Sequence, residues 1–145
     1  HKMLSRGVNV ALGTDGSASN NNLDMMKELK TVAILHKGIL QDPTVSDAQT
    51  VCRLATECGA LAQGRTDCGR IEVGKKADLI LIDLDSIHNI PSYGYNTTVA
   101  YSADWSDVRM TMVDGKILYE NGEYTTVDIE KLKYEAKDVI KHYFD

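Results

Sequence analysis

Asp15 is the side chain in this sequence best placed to do chemistry. It follows the apolar run Val8-Asn9-Val10-Ala11-Leu12-Gly13 and opens a loop of small and amide residues, Gly16 through Asn22. A β-branched apolar run that stops at a glycine predicts a strand buried on both faces, as in a parallel sheet. Loops just beyond the C-terminal ends of such strands collect catalytic groups, because they vary while the strands hold position. A carboxylate there suits metal ligation or general acid–base work. The competing reading is a turn or cap, in which the aspartate bonds its own backbone. Ser17, Ser19 and Asn20 to Asn22 divide the same way, between holding a polar ligand and ending the strand or capping the next helix.

The other chemically able residues form no set with it. A catalytic zinc wants about three protein ligands and an open position for water. The four histidines, His1, His36, His88 and His142, make no H-x-H and no H-E-x-x-H, so each reads as a surface or packing residue. The loop lacks G-x-G-x-x-G and a following G-K-[ST], which argues against a phosphate cradle. Cys52, Cys58 and Cys68 contain no C-x-x-C pair and read as buried, reduced thiols. Cys68 has no evident base beside it, so no nucleophilic role follows.

The elements that must position Asp15 can be read from periodicity. Met26, Leu29, Val32 or Ala33, and His36 share one side of a helix ended by Gly38. Ser46 and Gln49 predict a capping box for a second helix using Val51, Leu54 and Ala55, and Gly59–Ala62 adds a short helical piece ending at Gly64. Beyond Asp67 the period becomes strand-like. Strands are predicted at Arg70–Val73, Ala77–Leu84 and Val108–Val113, with a short one at Thr98–Tyr101. Asp114-Gly115 predicts a type I′ hairpin returning along Lys116–Tyr119, and Asn121-Gly122 a second tight turn. An amphipathic helix capped by Asp128 closes the chain, with an apolar stripe of Ile129, Leu132, Ala136, Val139 or Ile140, and Tyr143 that reads as a docking face.

Composition sets the outer limits. The 145 residues are 43% hydrophobic and 26% charged, enough for one modest globular domain. No apolar run approaches the roughly 20 residues of a membrane span, and no signal-peptide h-region follows the N-terminus. A cytoplasmic location is the resulting expectation. The net charge of -5, with no basic stripe, argues against nucleic acid as a partner. The first 66 residues carry 7 basic and 6 acidic groups and the rest 9 and 15, so charge and period change together near Gly64. Met3-Leu4 reads as the end of a helix, which predicts that the chain is a piece of something longer.

Three stretches together resemble the C-terminal part of the zinc-dependent amidohydrolase superfamily. The nearest likeness is its aminohydrolase branch, the 5-methylthioadenosine/S-adenosylhomocysteine deaminases and related chlorohydrolases. Gly13-Thr14-Asp15-Gly16-Ser17-Ala18-Ser19-Asn20-Asn21, followed by Leu23-Asp24-Met25, looks like that family's last barrel strand and its loop. Ala55-Thr56-Glu57-Cys58-Gly59-Ala60 resembles its AT-x-x-GA helix, and Gly69-Arg70 through Asp83 its return to a small β-domain. Asp107-Val108 and Val113-Asp114-Gly115-Lys116 fit the same domain.

The resemblance implies an α/β plus β architecture, truncated relative to the family. Residues 1–66 would be the last βα unit of a metal-dependent (β/α)8 barrel, residues 67–127 part of the small β-sandwich domain, and 128–145 a C-terminal helix. A whole barrel takes about 250 residues. By the same resemblance Asp15 is the catalytic aspartate and a metal ligand, and Ser19 lies beside the substrate. Zinc, or another divalent metal, belongs to the complete enzyme. The remaining ligands, an H-x-H and two further histidines, and the catalytic Glu would lie upstream of His1. The chain alone is therefore expected to be inactive and to hold no metal. The implied partner is a small purine nucleoside-like substrate, and a homo-oligomer is expected. Two alternatives stand: a chlorohydrolase or guanine-type deaminase of the same superfamily, and a non-enzymatic interaction module.

Overall fold

A computed structural model describes residues 1–144. Five helices and four strands follow in chain order: α1 Met25–Leu40, α2 Ala48–Ala55, α3 Glu57–Ala62, β1 Leu79–Ile82, α4 Tyr95–Tyr101, β2 Val108–Val113, β3 Lys116–Glu120, β4 Glu123–Tyr124 and α5 Ile129–Phe144. Short 3-10 turns occupy Leu4–Arg6, Ile87–Asn89 and Trp105–Asp107. The strands form one antiparallel sheet in the order β1-β2-β3-β4.

The helical half is built on α1. Asp24 caps it, its Oδ1 accepting from the N–H of Met26 at 2.9 Å and of Lys27 at 3.4 Å. The predicted stripe is the buried one: Met26, Leu29 and Ala33 meet Val51 of α2 and Ala103 after α4. Ile82 and Leu84 pack on the same cluster from the sheet side. Gly38 does not end α1. A mid-helix glycine costs only about 1 kcal/mol, and the helix runs on to Leu40, where left-handed Gln41 donates to the Lys37 carbonyl.

Several predicted elements are rearranged. No strand forms at Val8–Gly13: a strand needs a ladder neighbour, and Leu12 N–H donates instead to the Leu54 carbonyl of α2 at 3.2 Å. Val8 is exposed rather than buried on both faces. Arg70–Val73 likewise meets no partner strand among the described residues, leaving Ile71 and Val73 exposed. Thr98–Tyr101 is helical, within α4, where Thr98 and Ala100 are buried and Thr98 Oγ1 accepts its place by donating to the Gly94 carbonyl at 3.1 Å. The α2 cap is Asp47, accepting from Thr50 N–H at 3.0 Å, whereas Ser46 turns inward at φ +50° with its hydroxyl 3.4 Å from His36 Nδ1. The three cysteines are free but half-buried. Burial pushes the Cys52 thiol pKa up, with Asp47 adding to it. The apolar residues of α5 docked in expectation, Leu132, Val139, Ile140 and Tyr143, are exposed.

The hairpin is as predicted. Asp114 and Gly115 have φ of +50° and +77°, the two positive values of a type I′ turn. Asn121 and Gly122 repeat the pattern before β4. The turn at 114–115 docks onto Ala77-Asp78: Asp78 Oδ1 accepts from Asp114 N–H at 2.8 Å, and Gly115 N–H donates to the Ala77 carbonyl at 3.1 Å. Asp78 Oδ2 also takes Arg65 Nη2 at 3.1 Å, which ties the α3 exit to the sheet. Gly69 sits where α3 passes closest. Its φ is +86°, and a Cβ there would lie 2.8 Å from the Ala60 Cβ.

Two stability predictions follow from these contacts. Gly69→Ala forces an L side chain into a left-handed conformation against α3, and should lower stability by about 2 kcal/mol in urea unfolding. Asp107, 1% exposed, concerns pH. Burial acts to raise its pKa, but hydrogen bonds from Ser86, the Asp104 N–H, His88 and Asn89 outweigh it and hold the carboxyl far below the ordinary range. A carboxyl depressed on folding stabilises above its unfolded pKa of about 4 and loses that contribution as pH falls through the folded value. Asp107→Asn should therefore cost ~3 kcal/mol at neutral pH, and the gap to the parent should close only below about pH 4.

Candidate active site

The loop carrying Asp15 is tied at both ends and exposed in between. Its entry is fixed by the Leu12–Leu54 hydrogen bond and its exit by the Asp24 cap on α1. Asp15 itself has φ +61°, a left-handed conformation that aspartate tolerates better than most residues. Its Oδ1 accepts from Gly16 N–H at 2.6 Å. That bond holds the carboxyl below its usual pKa, although burial opposes it. Asp15 is thus an exposed, ionised carboxylate, hydrogen-bonded by its own loop.

Ser19 joins it. The Ser19 hydroxyl donates to the Gly16 carbonyl at 3.1 Å, and both Ser19 N–H and Asn20 N–H reach the same carbonyl at 3.0 Å. The structure therefore brings the two sequence-predicted site residues to one turn centred on Gly16. Of the three asparagines, Asn20 points inward: Nδ2 donates to the Thr14 carbonyl at 2.7 Å and reaches Glu28 Oε1 at 3.5 Å, and Oδ1 accepts from Asn22 N–H at 3.0 Å.

A cavity of about 470 Å³ opens beside the loop exit, between the start of α1 and the sheet, lined by Leu23, Asp24, Met26, Ile80, Trp105 and Val108. Neither Asp15 nor Ser19 lines it. Within it the buried Asp24 Oδ2 has no hydrogen-bond partner among the described residues. A smaller cavity beside α3 is walled in part by paired charges, Arg70 with Glu57 and Arg65 with Asp67, and in part by Glu72 and Lys75.

Among the described residues the one cluster of three metal-ligating side chains is His88, Asp104 and Asp107. Sequence reading missed it, although Asp104 and Asp107 have capping spacing and do form a reciprocal capping box. The carboxylate of Asp107 is saturated. Oδ1 takes Ser86 Oγ at 2.7 Å, while Oδ2 takes His88 Nε2 at 2.8 Å, Asn89 Nδ2 at 3.0 Å and Asp104 N–H at 3.0 Å. An acceptor with its lone pairs spent on donors is a structural node. The catalytic reading stays with Asp15.

Comparison with known proteins bears on that reading. The family model described as Amidohydrolase family matches residues 1–118. A 5-methylthioadenosine/S-adenosylhomocysteine deaminase of Acetivibrio thermocellus is 48% identical over 140 residues, 96% of this chain and 32% of that protein. A 5'-deoxyadenosine deaminase of Methanosarcina acetivorans is 48% identical over 137 residues, 94% of this chain and 32% of its own length. The chain thus spans about a third of the curated relatives it matches. Among solved structures, a zinc-bound adenosine deaminase from Xanthomonas campestris superposes with a TM-score of 0.92 at 38% identity, over 97% of this chain and 32% of the other. A zinc complex of atrazine chlorohydrolase from Arthrobacter aurescens gives 0.86 at 26% identity, over 94% and 31%. A family match across most of the sequence, with whole-chain superposition on solved members, leaves one conclusion: the chain belongs to the amidohydrolase family.

Proposed function

We propose that this chain is the C-terminal part of a zinc-dependent aminohydrolase that deaminates an adenosine-like nucleoside. Residues 1–66 are the last βα unit of its (β/α)8 barrel, residues 67–127 part of its small β-domain, and 128–145 its C-terminal helix. The observation that carries the reading is the 48% identity to two deaminases across nearly the whole chain, in a sequence whose loop presents an exposed, ionised Asp15. The Val8–Gly13 segment, which has no strand ladder, and the exposed Leu132, Val139, Ile140 and Tyr143 of α5 fit it too, since both suit neighbours supplied by a larger enzyme. The same reading makes the complete enzyme a homo-oligomer in the cytoplasm. No helix among the described residues is long and apolar enough to cross a membrane.

The residues present fit a metal in part. A carboxylate is a competent ligand for zinc, and Asp15 is exposed and ionised. It is one ligand of about three, so the others come from polypeptide outside this chain and the chain alone holds no zinc. Bound in the complete site, zinc would supply a water acidified to near neutral pKa, able to attack the ring carbon that bears the amine. In that site Asp15 would serve twice, as a ligand and as the carboxylate able to take the water's proton and pass it toward the departing ammonia. Ser19, in the same turn and exposed, is the residue this reading sets beside the substrate. The chlorohydrolase likeness, at 26% identity, makes chloride the second choice of leaving group.

Purified full-length protein should release ammonia from adenosine, 5'-deoxyadenosine, 5-methylthioadenosine or S-adenosylhomocysteine. Failure on every aminated and halogenated ring tested would overturn the assignment. Chelation should abolish turnover and zinc restore it. Asp15→Asn should cut kcat/KM by more than about 100-fold and lower zinc content, because a neutral amide is a poor ligand and no proton acceptor. In metal-free protein followed by carboxyl carbon NMR, Asp15 should titrate below the ordinary value of about 3.9.

A further inference from the structure

The loop around Asp15 holds a second residue with a defined task. Asn20 is half-buried, while Asp15 to Ser19, Asn21 and Asn22 are all exposed. Every polar atom of its side chain is used, and the partners come from three different places: Thr14 before Asp15, Asn22 after the turn, and Glu28 on α1. An amide has two N–H donors. One meets the Thr14 carbonyl at 2.7 Å and the other approaches Glu28 Oε1 at 3.5 Å.

The Thr14 carbonyl belongs to the same planar peptide group as the Asp15 N–H. Fixing that oxygen therefore fixes the plane from which Asp15 rotates, and with it the direction in which the carboxylate leaves the backbone. Direction matters here because Asp15 stands at φ +61°, a conformation costing an L residue about 1 kcal/mol or more. An unclamped loop would relax toward negative φ and swing the carboxylate away. The clamp rests on firm ground: Glu28 lies in the first turn of α1, between the buried residues Met26 and Leu29.

We propose that Asn20 is a positioning residue, whose amide locks the Thr14–Asp15 peptide to α1 and so aims the Asp15 carboxylate at the metal. This rests on the assignment of Asp15 as a zinc ligand. Groups that hold a ligand's orientation typically contribute 10- to 100-fold to metal affinity.

The test uses the full-length protein. Asn20→Asp is nearly isosteric and keeps Oδ1, but puts an oxygen against the Thr14 carbonyl and Glu28, turning the clamp repulsive. Asn20→Ala removes the clamp without adding charge, and Asn21→Asp adds the same charge at the exposed neighbour as a control. Zinc dissociation constants are measured by competition with a chromophoric chelator, and amide hydrogen exchange at residues 14–20 is followed in metal-free protein. Both Asn20 variants should bind zinc about 10-fold or more weakly. They should exchange faster across the loop and lose kcat with KM little changed, while unfolding near the parental temperature. Asn21→Asp should match the parent in all four. Zinc affinity and loop exchange within about twofold of the parent for Asn20→Ala would overturn the proposal, as would global unfolding of both Asn20 variants, which would make Asn20 a general stability residue. Asp15→Asn separates the two ideas. If it weakens zinc binding and Asn20→Ala does not, only the clamp falls; if it leaves zinc binding intact, the ligand assignment falls and the clamp with it.

Discussion

One buried carboxylate joins the two halves of this chain. Asp107 stands at the corner where the polypeptide leaves α4, which packs on α1 and α2, and enters β2, the central partner of β1 and β3. Its side chain collects donors from Ser86, His88, Asn89 and the Asp104 backbone, and its carbonyl accepts Asp83 N–H at 2.8 Å. The segment leaving β1 and the segment entering β2 are therefore pinned to the same residue. A buried charge is costly unless its lone pairs are all met, so the surrounding loops have little freedom to move without exposing that cost. Ala103, in the helical core, lies on the same corner. Ile82 and Leu84, beside the pinned Asp83, pack on the cluster that α1 builds.

Around that node the chain shows two kinds of surface. Where it makes its own contacts they are specific: the hairpin turn lies on Ala77-Asp78, Arg65 bridges α3 to Asp78, and Gly69 lets backbone pass against Ala60. Elsewhere apolar residues stand in the open, among them Ile80 and Leu81 on β1 and the face of α5. Single exposed apolar residues are ordinary, but contiguous ones mark an interface. The superposition on a zinc-bound deaminase leaves out only 3% of the chain, fewer residues than α5 contains. That coverage means the superposition takes in at least part of α5.

The loop after Leu12 shows why motif and geometry answer different questions. The Gly13–Asn21 string pointed to Asp15 and Ser19 and left its asparagines divided between ligand and structure. The fold separates them, because Asn20 spends its side chain on Thr14, Asn22 and Glu28 of α1 while Asn21 faces solvent. A polar residue's task is set by which partners are within hydrogen-bond reach, and spacing cannot supply that when one partner sits on another element. Asp107 makes the same point: it is 19 residues from His88 and 21 from Ser86, and no local pattern announces such a cluster.

What the sequence determined by itself was a set of features governed by short-range chemistry. Asp114-Gly115 and Asn121-Gly122 dictate their turns through positive φ, Asp128 suits a helix start by accepting a backbone N–H, and Met26, Leu29 and Ala33 mark the buried side of α1 by their spacing. Tertiary structure decided the rest. Val8–Gly13 and Arg70–Val73 have the composition of strands, but a strand exists only when another backbone completes its ladder, and among the described residues none does. Thr98–Tyr101 carries β-branched residues yet is helical, because packing against α1 and α2 buries Thr98 and Ala100 on one side. Local propensity proposes a conformation; the neighbour that satisfies its polar backbone and covers its apolar face selects it.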